Sequence, residues 1–402
     1  MSVLRVLVCI MVLVLCGLAI LRAFAVEVFH IPSGSMAPAL LGNHRQCACP
    51  RCGQVVAVGR HTDDPMGTGD PRFYRNAFCP TCGNYPLAVH QGAEVQGDQV
   101  TVDRTAYVRR PPSRWEIVVF RLLSNLFIKR LIGLPGEVIR IHAGDVYVNN
   151  QVCRKTLDEA RRMRVLIEDK GPGVGLGNRV VSGILPAALK CEPIRDEYAY
   201  NAGLHASSEL VHDFMVESEI EILSGRGAVS LRLCDGGDWV ETLLPVGETG
   251  PIEAFAWPLN NPEHTRKFAD SPVRLALHPG RRYRVEMALI DRRCSVAIDG
   301  KTLLVVDLPE SGKRAGVSRP FVMQLDGVRV RVLRHRLFRD IHYGQQGRNA
   351  VQGKSVRLGP DQYFMLGDNS ANSEDSRYWS NRGRVGSGDL LGPVLHVQRP
   401  GR

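Results

Sequence analysis

A glycine set between two serines, in residues 31–41 (IPSGSMAPALL), is the first place in this chain where chemistry can be done. Gly34 lets the backbone turn without a Cβ clash, and Pro32 and Pro38 stiffen the flanks, so one hydroxyl can be presented on a fixed loop as a nucleophile. Taken alone, the run reads more safely as a polar juxtamembrane linker. A lysine stands in the apolar run 126–136 (LFIKRLIGLPG), where an extended strand puts Phe127, Lys129 and Leu131 on one face and Ile128, Arg130 and Ile132 on the other. Burial there disfavours the ammonium and brings the amine toward the range of a general base, whereas an ordinary strand lysine runs its amine out to solvent. A third block, 363–379 (YFMLGDNSANSEDSRYW), holds a short apolar strand and then a loop dense in Asn, Asp and Ser. Such loops are often plain turns, but Asp375 and Arg377 are spaced to form a charge-assisted pair that rigidifies this one. No Ser-His-Asp set emerges, because His30 adjoins the serine loop without a carboxylate to orient it.

Eleven cysteines are distributed unevenly. Cys9 and Cys16 lie in an apolar N-terminal run as small apolar side chains. CPRCG (Cys49 to Gly53) and CPTCG (Cys79 to Gly83) form two Cys-x-x-Cys-Gly knuckles 26 residues apart, with Cys47 just upstream. Each knuckle puts two thiolates on one turn, and two such turns complete a closed tetrahedral site, so Cys49, Cys52, Cys79 and Cys82 are expected to hold a structural zinc. Disulfides are the competing expectation if this face meets an oxidising compartment. Cys47, His44, His61 and His90 are substitute ligands. The spacing resembles a zinc ribbon, and a thioredoxin-like redox role is disfavoured because no βαβ pattern surrounds either pair.

These groups need a scaffold and a location. Residues 6–21 (VLVCIMVLVLCGLAIL) carry no charge and, with Leu4 and residues 23–25, approach the length of a membrane span, with Arg22 snorkelling. A cleaved secretory signal with a small-residue site near Ala23 or Ala25 is the rival, but an uncleaved anchor is expected because the serine run follows at once. Arg5 and Arg22 flank both ends, so charge does not orient it. Elsewhere 44% hydrophobic and 23% charged residues exclude a mainly disordered chain and a polytopic membrane protein. The net charge of +10 is spread in short pairs, not in a basic stripe, which favours proximity to anionic lipid at least as well as nucleic acid. Residues 115–120 (WEIVVF) read as a strand, residues 137–148 as a hairpin, and Thr156 to Glu159 as a capping box whose helix turns Leu157, Ala160 and Met163 inward. Residues 171–177 read as a Gly-rich loop. From about 209 to 333 strands recur at regular spacing: 229–233 and 240–244 flank Gly-Gly-Asp, and 295–298 and 302–306 flank Asp299-Gly300, a two-residue hairpin signal. In 283–289, Val285, Met287 and Leu289 share one face and Arg284 and Glu286 the other, so a β-sandwich is expected.

Together the three blocks, in this order behind a single anchor, closely resemble the bacterial type I signal peptidase (leader peptidase) family. IPSGSMAPAL matches its nucleophile box, FIKRLIGLPGE its lysine box and GDNSANSEDSRYW its C-terminal box. The resemblance covers about residues 1–45, 94–150 and 353–397. It implies that Ser35 is the nucleophile and Lys129 the general base, and that the Ser33 hydroxyl and the Ser35 amide form the oxyanion hole. It further implies that Ser373 orients Lys129, with Asp375, Arg377 and Asp368 as structural neighbours. No cofactor is implied for catalysis. The substrates implied are signal-peptide-bearing preproteins with small residues, typically Ala, at positions −1 and −3. The implied setting is the cytoplasmic membrane of a bacterium, crossed once, with the catalytic domain extracytoplasmic. Two departures bear on loop geometry and substrate preference: Trp115-Glu116 stands where the family often has Gly-Asp, and Ser370-Ala371 where it often has Arg-Asp.

The expected fold is mainly β: a signal-peptidase-like core with an N-terminal transmembrane helix, a zinc-ribbon insert and a jelly-roll sandwich insert. Its divisions are an anchor at 1–28, a peptidase core of 29–45, 94–150 and 353–397, a ribbon-like insert at 46–93 and a sandwich at 180–345. RYRVEMALIDRRCSVAIDGKTLLVVDL resembles the hairpin of concanavalin- or laminin-G-like jelly rolls. A glycan or a protein is a candidate ligand of such a sandwich, but a spacer or substrate cap with no ligand is the plainer expectation. Two rivals frame the enzyme reading: an inactive anchored binding protein, which the intact Ser33, Ser35, Lys129 and Ser373 argue against, and a self-cleaving Ser–Lys regulator, which would need a DNA-binding region.

Overall fold

The alternation around Lys129 becomes two antiparallel strands, Ile117–Leu122 and Asn125–Gly133, with Val118 opposite Lys129. They lie inside a seven-stranded antiparallel sheet that runs, in spatial order, Val26–His30, Gln99–Asp103, Leu390–Gln398, Ile117–Leu122, Asn125–Gly133, Gln362–Leu366 and Arg384–Gly386. Only Ile117–Leu122 with Asn125–Gly133 and Gln362–Leu366 with Arg384–Gly386 are neighbours both in this sheet and in strand sequence; the other pairings join distant parts of the chain. The last strand of the chain pairs with both Gln99–Asp103 and Ile117–Leu122, closing the sheet from residues about 280 positions apart. A four-stranded sheet built on Val138–His142 and Asp145–Val148 packs beside it. Their turn, with Ala143 at φ 51° and Gly144 at φ 92°, needs the left-handed backbone that glycine adopts freely.

This computed structural model describes residues 5, 10–13, 25–60, 77–171, 179–186, 192–202, 209–310, 312 and 314–400. The expected anchor at 6–21, with Cys9 and Cys16, lies almost wholly outside them, as do His61 and most of the Gly-rich loop at 171–177. Residues 10–13 are helical and exposed. Among the described residues no helix is long and apolar enough to cross a membrane.

The largest insertion folds around two long strands, Phe214–Cys234 and Phe321–Asp340, paired along most of their length. Along its other edge the first of them pairs with Arg282–Ile290 through residues 214–221 and with Asp238–Val246 through residues 227–234. Gly225 and Gly227, at φ 111° and 142°, sit at the register shift between the two halves. Both halves feed one apolar core that includes Phe214, Ile220, Leu231, Met287, Val296 and Phe321. Asp299 and Gly300, at φ 50° and 84°, make the tight turn between Arg293–Ile298 and Lys301–Asp307.

Two expectations change. Arg164–Lys170 pairs with Phe321–Asp340, so the sheet begins ahead of residue 180, because its 20-residue partner strand extends beyond the sandwich hairpins. Glu286 is buried, although the alternation set it with Arg284 on the charged face opposite Val285, Met287 and Leu289. The helix Leu157–Arg162, opened by the capping box of Thr156 and Glu159, covers that face and packs Leu157 and Ala160 on Ala288 and Ile290. Arg161 then neutralises Glu286 through two hydrogen bonds of 3.1 and 2.6 Å.

Charged groups also fasten the sandwich to the hairpin of the smaller sheet. Lys155 bonds Asp291 and Asp340 at 2.9 and 2.8 Å, and Arg314 bridges Asp145 and Asp213. Burial among like charges pushes the Asp340 carboxyl up to about 7, while Lys155 pulls it the other way.

Candidate active site

The serine loop leaves the edge strand Val26–His30 at Ile31 and folds back under residues 94–98. Its anchors are Ile31 N donating to Asp98 O and Leu41 N donating to the Asp98 carboxylate, at 2.9 and 2.8 Å. Met36 and Leu40 are buried against Val100 and Val119 of the sheet, which fixes the loop on the strands that carry the lysine. Ser33 is exposed and Ser35 half-buried, and both line a cleft of about 530 Å³ with Lys129. Phe29, Ile31, Met36 and Phe127 give that cleft an apolar wall. Among the described residues the strand Asn125–Gly133 has no partner opposite residues 125–129 on the side away from Ile117–Leu122, so an open backbone edge borders the cleft.

Lys129 Nζ lies 2.6 Å from Ser35 Oγ. The lysine is 4% exposed. Burial, the largest cause, brings its ammonium down from 10.5 to about 8; Asp375 pulls it back up, Arg377 pushes it further down, and Asp368 and Glu374 oppose. A near-neutral amine touching a hydroxyl is what a general base for that hydroxyl requires. His30 Nε2 instead meets the side-chain oxygen of Asn43 at 3.3 Å, with no carboxylate bonded to it among the described residues.

The C-terminal loop braces this pair from behind. Arg377 grips Asp375 through Nε and Nη2, both at 2.9 Å, and both side chains are fully buried. Asp375 also accepts the Gly367 amide at 3.0 Å, and a Cβ at Gly367 would fall 2.6 Å from the Ser35 carbonyl. Only glycine allows that approach. Ser370, at one of the two departures from the family pattern, takes a hydrogen bond of 2.7 Å from Arg377 and another of 2.8 Å from the Gly344 amide. At the other departure Trp115 adopts φ 69°, left-handed backbone that suits glycine, with its ring buried 4.9 Å from the Lys155 amine.

Ser373 is not placed as expected. It is buried, but its hydroxyl has no hydrogen-bond partner among the described residues and no bond to Lys129; it sits 2.1 Å from where a Gly367 Cβ would be. The short contact of the lysine amine goes to Ser35. Asp368 faces away from the dyad and pairs with the buried Arg130 on the opposite strand face, which also bonds the Trp115 carbonyl at 2.6 Å.

Sequence reasoning missed Asn369 and Asn201. Asn369 donates its side-chain amide to the Gly34 carbonyl at 2.9 Å and its backbone amide to the Ser35 carbonyl at 3.1 Å. Its side chain exchanges hydrogen bonds of 2.7 Å with Asn201, which arrives from the long insertion. Asn369 was visible inside the C-terminal block, whereas nothing local marked Asn201.

The four knuckle cysteines converge, every Sγ within 4.8 Å of the others. Cys49 and Cys82 are 3.5 Å apart and Cys52 and Cys79 3.6 Å, well beyond a disulfide bond. Of the substitute ligands, His44 turns its Nδ1 to the Gly42 carbonyl at 2.8 Å, Cys47 lies in the apolar cluster beneath the knuckles and His90 is exposed.

The chain is 43% identical over 70 residues to the probable signal peptidase I-2 of Synechocystis, which covers 15% of this chain and 30% of that protein. It is 25% identical over 146 residues to signal peptidase I of Rickettsia conorii, covering 36% and 42%. The chain thus spans less than half the length of these curated relatives. Among solved structures, the CBM40 of the Ruminococcus gnavus IT-sialidase bound to alpha2,3-sialyllactose covers 43% of this chain and 92% of its own, at 9% identity and a TM-score of 0.27. No ligand of the sandwich follows from a likeness that slight. The family model described as signal peptidase, peptidase S26, matches residues 91–199 and 294–397, just over half of the chain, and takes in Lys129, Asp368, Ser373, Asp375 and Arg377. The chain belongs to the signal peptidase (peptidase S26) family.

Proposed function

We propose that this protein is a membrane-anchored serine endopeptidase that removes signal peptides from exported preproteins through a Ser35–Lys129 dyad. The observation that carries the reading is the 2.6 Å contact between a buried, largely desolvated lysine amine and a hydroxyl on a braced loop. Neutral Lys129 takes the Ser35 proton as Oγ attacks the scissile carbonyl. The resulting oxyanion is held by the Ser33 hydroxyl and the Ser35 amide. Lys129 then hands its proton to the leaving amine, which departs as the mature protein and leaves the signal peptide as an ester on Ser35. The same amine deprotonates water to hydrolyse that ester and returns the proton to Ser35. The open edge at 125–129 and the apolar wall of the cleft suit an extended peptide with small apolar side chains. An anchor at 1–28 in the cytoplasmic membrane of a bacterium, with the core extracytoplasmic, would bring the cleft to a substrate that emerges from the bilayer.

The test uses the full chain in detergent with a preprotein bearing an Ala-x-Ala site. Wild type is expected to cleave after the second Ala, and Ser35→Ala to leave the preprotein intact. Equal cleavage by both proteins, or none by a folded wild type, contradicts the reading.

A further inference from the structure

The first knuckle follows the serine loop closely in the chain, and one distant turn of the long insertion rests on both. The two knuckles are built alike: Cys49 N and Cys79 N donate to the carbonyls of Gln54 and Asn84 at 2.8 and 2.9 Å, and Gly53 N and Gly83 N return to the cysteine carbonyls at 2.8 and 2.9 Å. Both glycines are left-handed, at φ 74° and 69°. The Sγ spacings of 3.5 and 3.6 Å approach the edge of about 3.8 Å of a tetrahedron with zinc–sulfur bonds near 2.3 Å. Among the described residues, three short strands, His44–Ala48, Val55–Gly59 and Ala93–Val95, are the only sheet these knuckles join, too little to hold itself together without a staple.

The turn Ala199–Asn201 rests on this unit. Ala199 and Ala202 belong to the same apolar cluster as Cys49 and Cys79. Between them the Tyr200 ring is wedged so tightly that a Cβ at Gly59, on the ribbon, or at Gly34, on the serine loop, would lie 2.3 Å from its Cε1. The ring also packs on Ala37 and Leu41 of the serine loop. Asn201 completes the path through its paired hydrogen bonds to Asn369, which holds the Gly34 and Ser35 carbonyls.

We propose that Cys49, Cys52, Cys79 and Cys82 bind one zinc ion as thiolates, and that the zinc-held ribbon, acting through Tyr200 and Asn201, sets the position of Ser35 against Lys129. Tyr200 and Asn201 are positioning residues, and the ion is structural, with four protein ligands and no open position for substrate. The coupling rests on the peptidase reading above; the metal site does not.

The test is made on the full chain in detergent by elemental analysis and steady-state cleavage of the Ala-x-Ala preprotein. Wild type is expected to carry one zinc per chain. Stripping it with a chelator should lower kcat roughly 10- to 100-fold with KM nearly unchanged, and added zinc should restore it, the range typical of a displaced supporting contact. Because Cys49→Ser can unfold the ribbon outright, Asn201→Ala is the second probe. It should keep one zinc per chain and the wild-type KM, yet lose kcat by a similar factor. A wild type without zinc, with the cysteines paired as disulfides or another metal in its place, overturns the metal assignment. A stripped protein or a zinc-replete Asn201→Ala with wild-type kcat overturns the coupling. A zinc-replete wild type that cleaves nothing overturns the peptidase reading and the coupling with it, while its zinc content upholds the metal site.

Discussion

Replacing Lys129 with Met is expected to abolish cleavage and at the same time to stabilise the protein. The activity side follows from the dyad, since removing a general base that acts as a unit with its nucleophile lowers kcat by at least about 1,000-fold. The stability side follows from burial. The Lys129 ammonium falls from 10.5 to about 8 in the fold, so below pH 8 the folded protein holds a buried charge that the unfolded chain solvates. That difference amounts to about 3 kcal/mol of destabilisation. It is fully present below pH 8, shrinks as pH rises, and vanishes above 10.5, where both states are neutral. The Met side chain keeps the packing and removes the charge. Urea unfolding of wild type and Lys129→Met at pH 7 should show the variant more stable, with the gap closing toward pH 10. A variant that is active, or less stable at pH 7, contradicts this.

Asp375→Ala is expected to be the most damaging single change away from the dyad. It strands a 1% exposed Arg377 guanidinium and frees the Gly367 amide from its acceptor. Breaking one side of a buried pair costs about 3–5 kcal/mol, because the remaining charge stays desolvated. The exposed pair of Arg226 with Glu248 gives the contrast: Glu248→Ala should cost no more than about 1 kcal/mol. Unfolding midpoints of the two variants measure the difference directly, and equal losses would contradict the assignment. Asp375 also holds the Lys129 ammonium up, so any Asp375→Ala that folds should show a still lower lysine pKa.

What the sequence displayed was local. Gly34 between two serines, Lys129 in an apolar run, the Asp299-Gly300 turn and the Thr156–Glu159 box each act over a few residues, and each is found where its pattern put it. Contacts closed over long separations were hidden. Alternation set Glu286 beside Arg284 on one face, but nothing near it in the sequence marked the helix about 125 residues earlier that covers that face. Asn201 meets Asn369 across 168 residues, and Arg130 meets Asp368 across 238. Ser373 shows the opposite failure: its place in the C-terminal block was legible, but the direction of its hydroxyl depends on how Gly367 lets the chain pack.

The most direct test of the dyad is the pH dependence of kcat/KM for the Ala-x-Ala preprotein. Activity should rise with pH along an acid limb whose midpoint is about 8, as Lys129 loses its proton and becomes a base, with no effect of His30→Ala on that limb. A profile flat through pH 8, or a limb displaced by His30→Ala, would mean that Lys129 is not the group that takes the Ser35 proton.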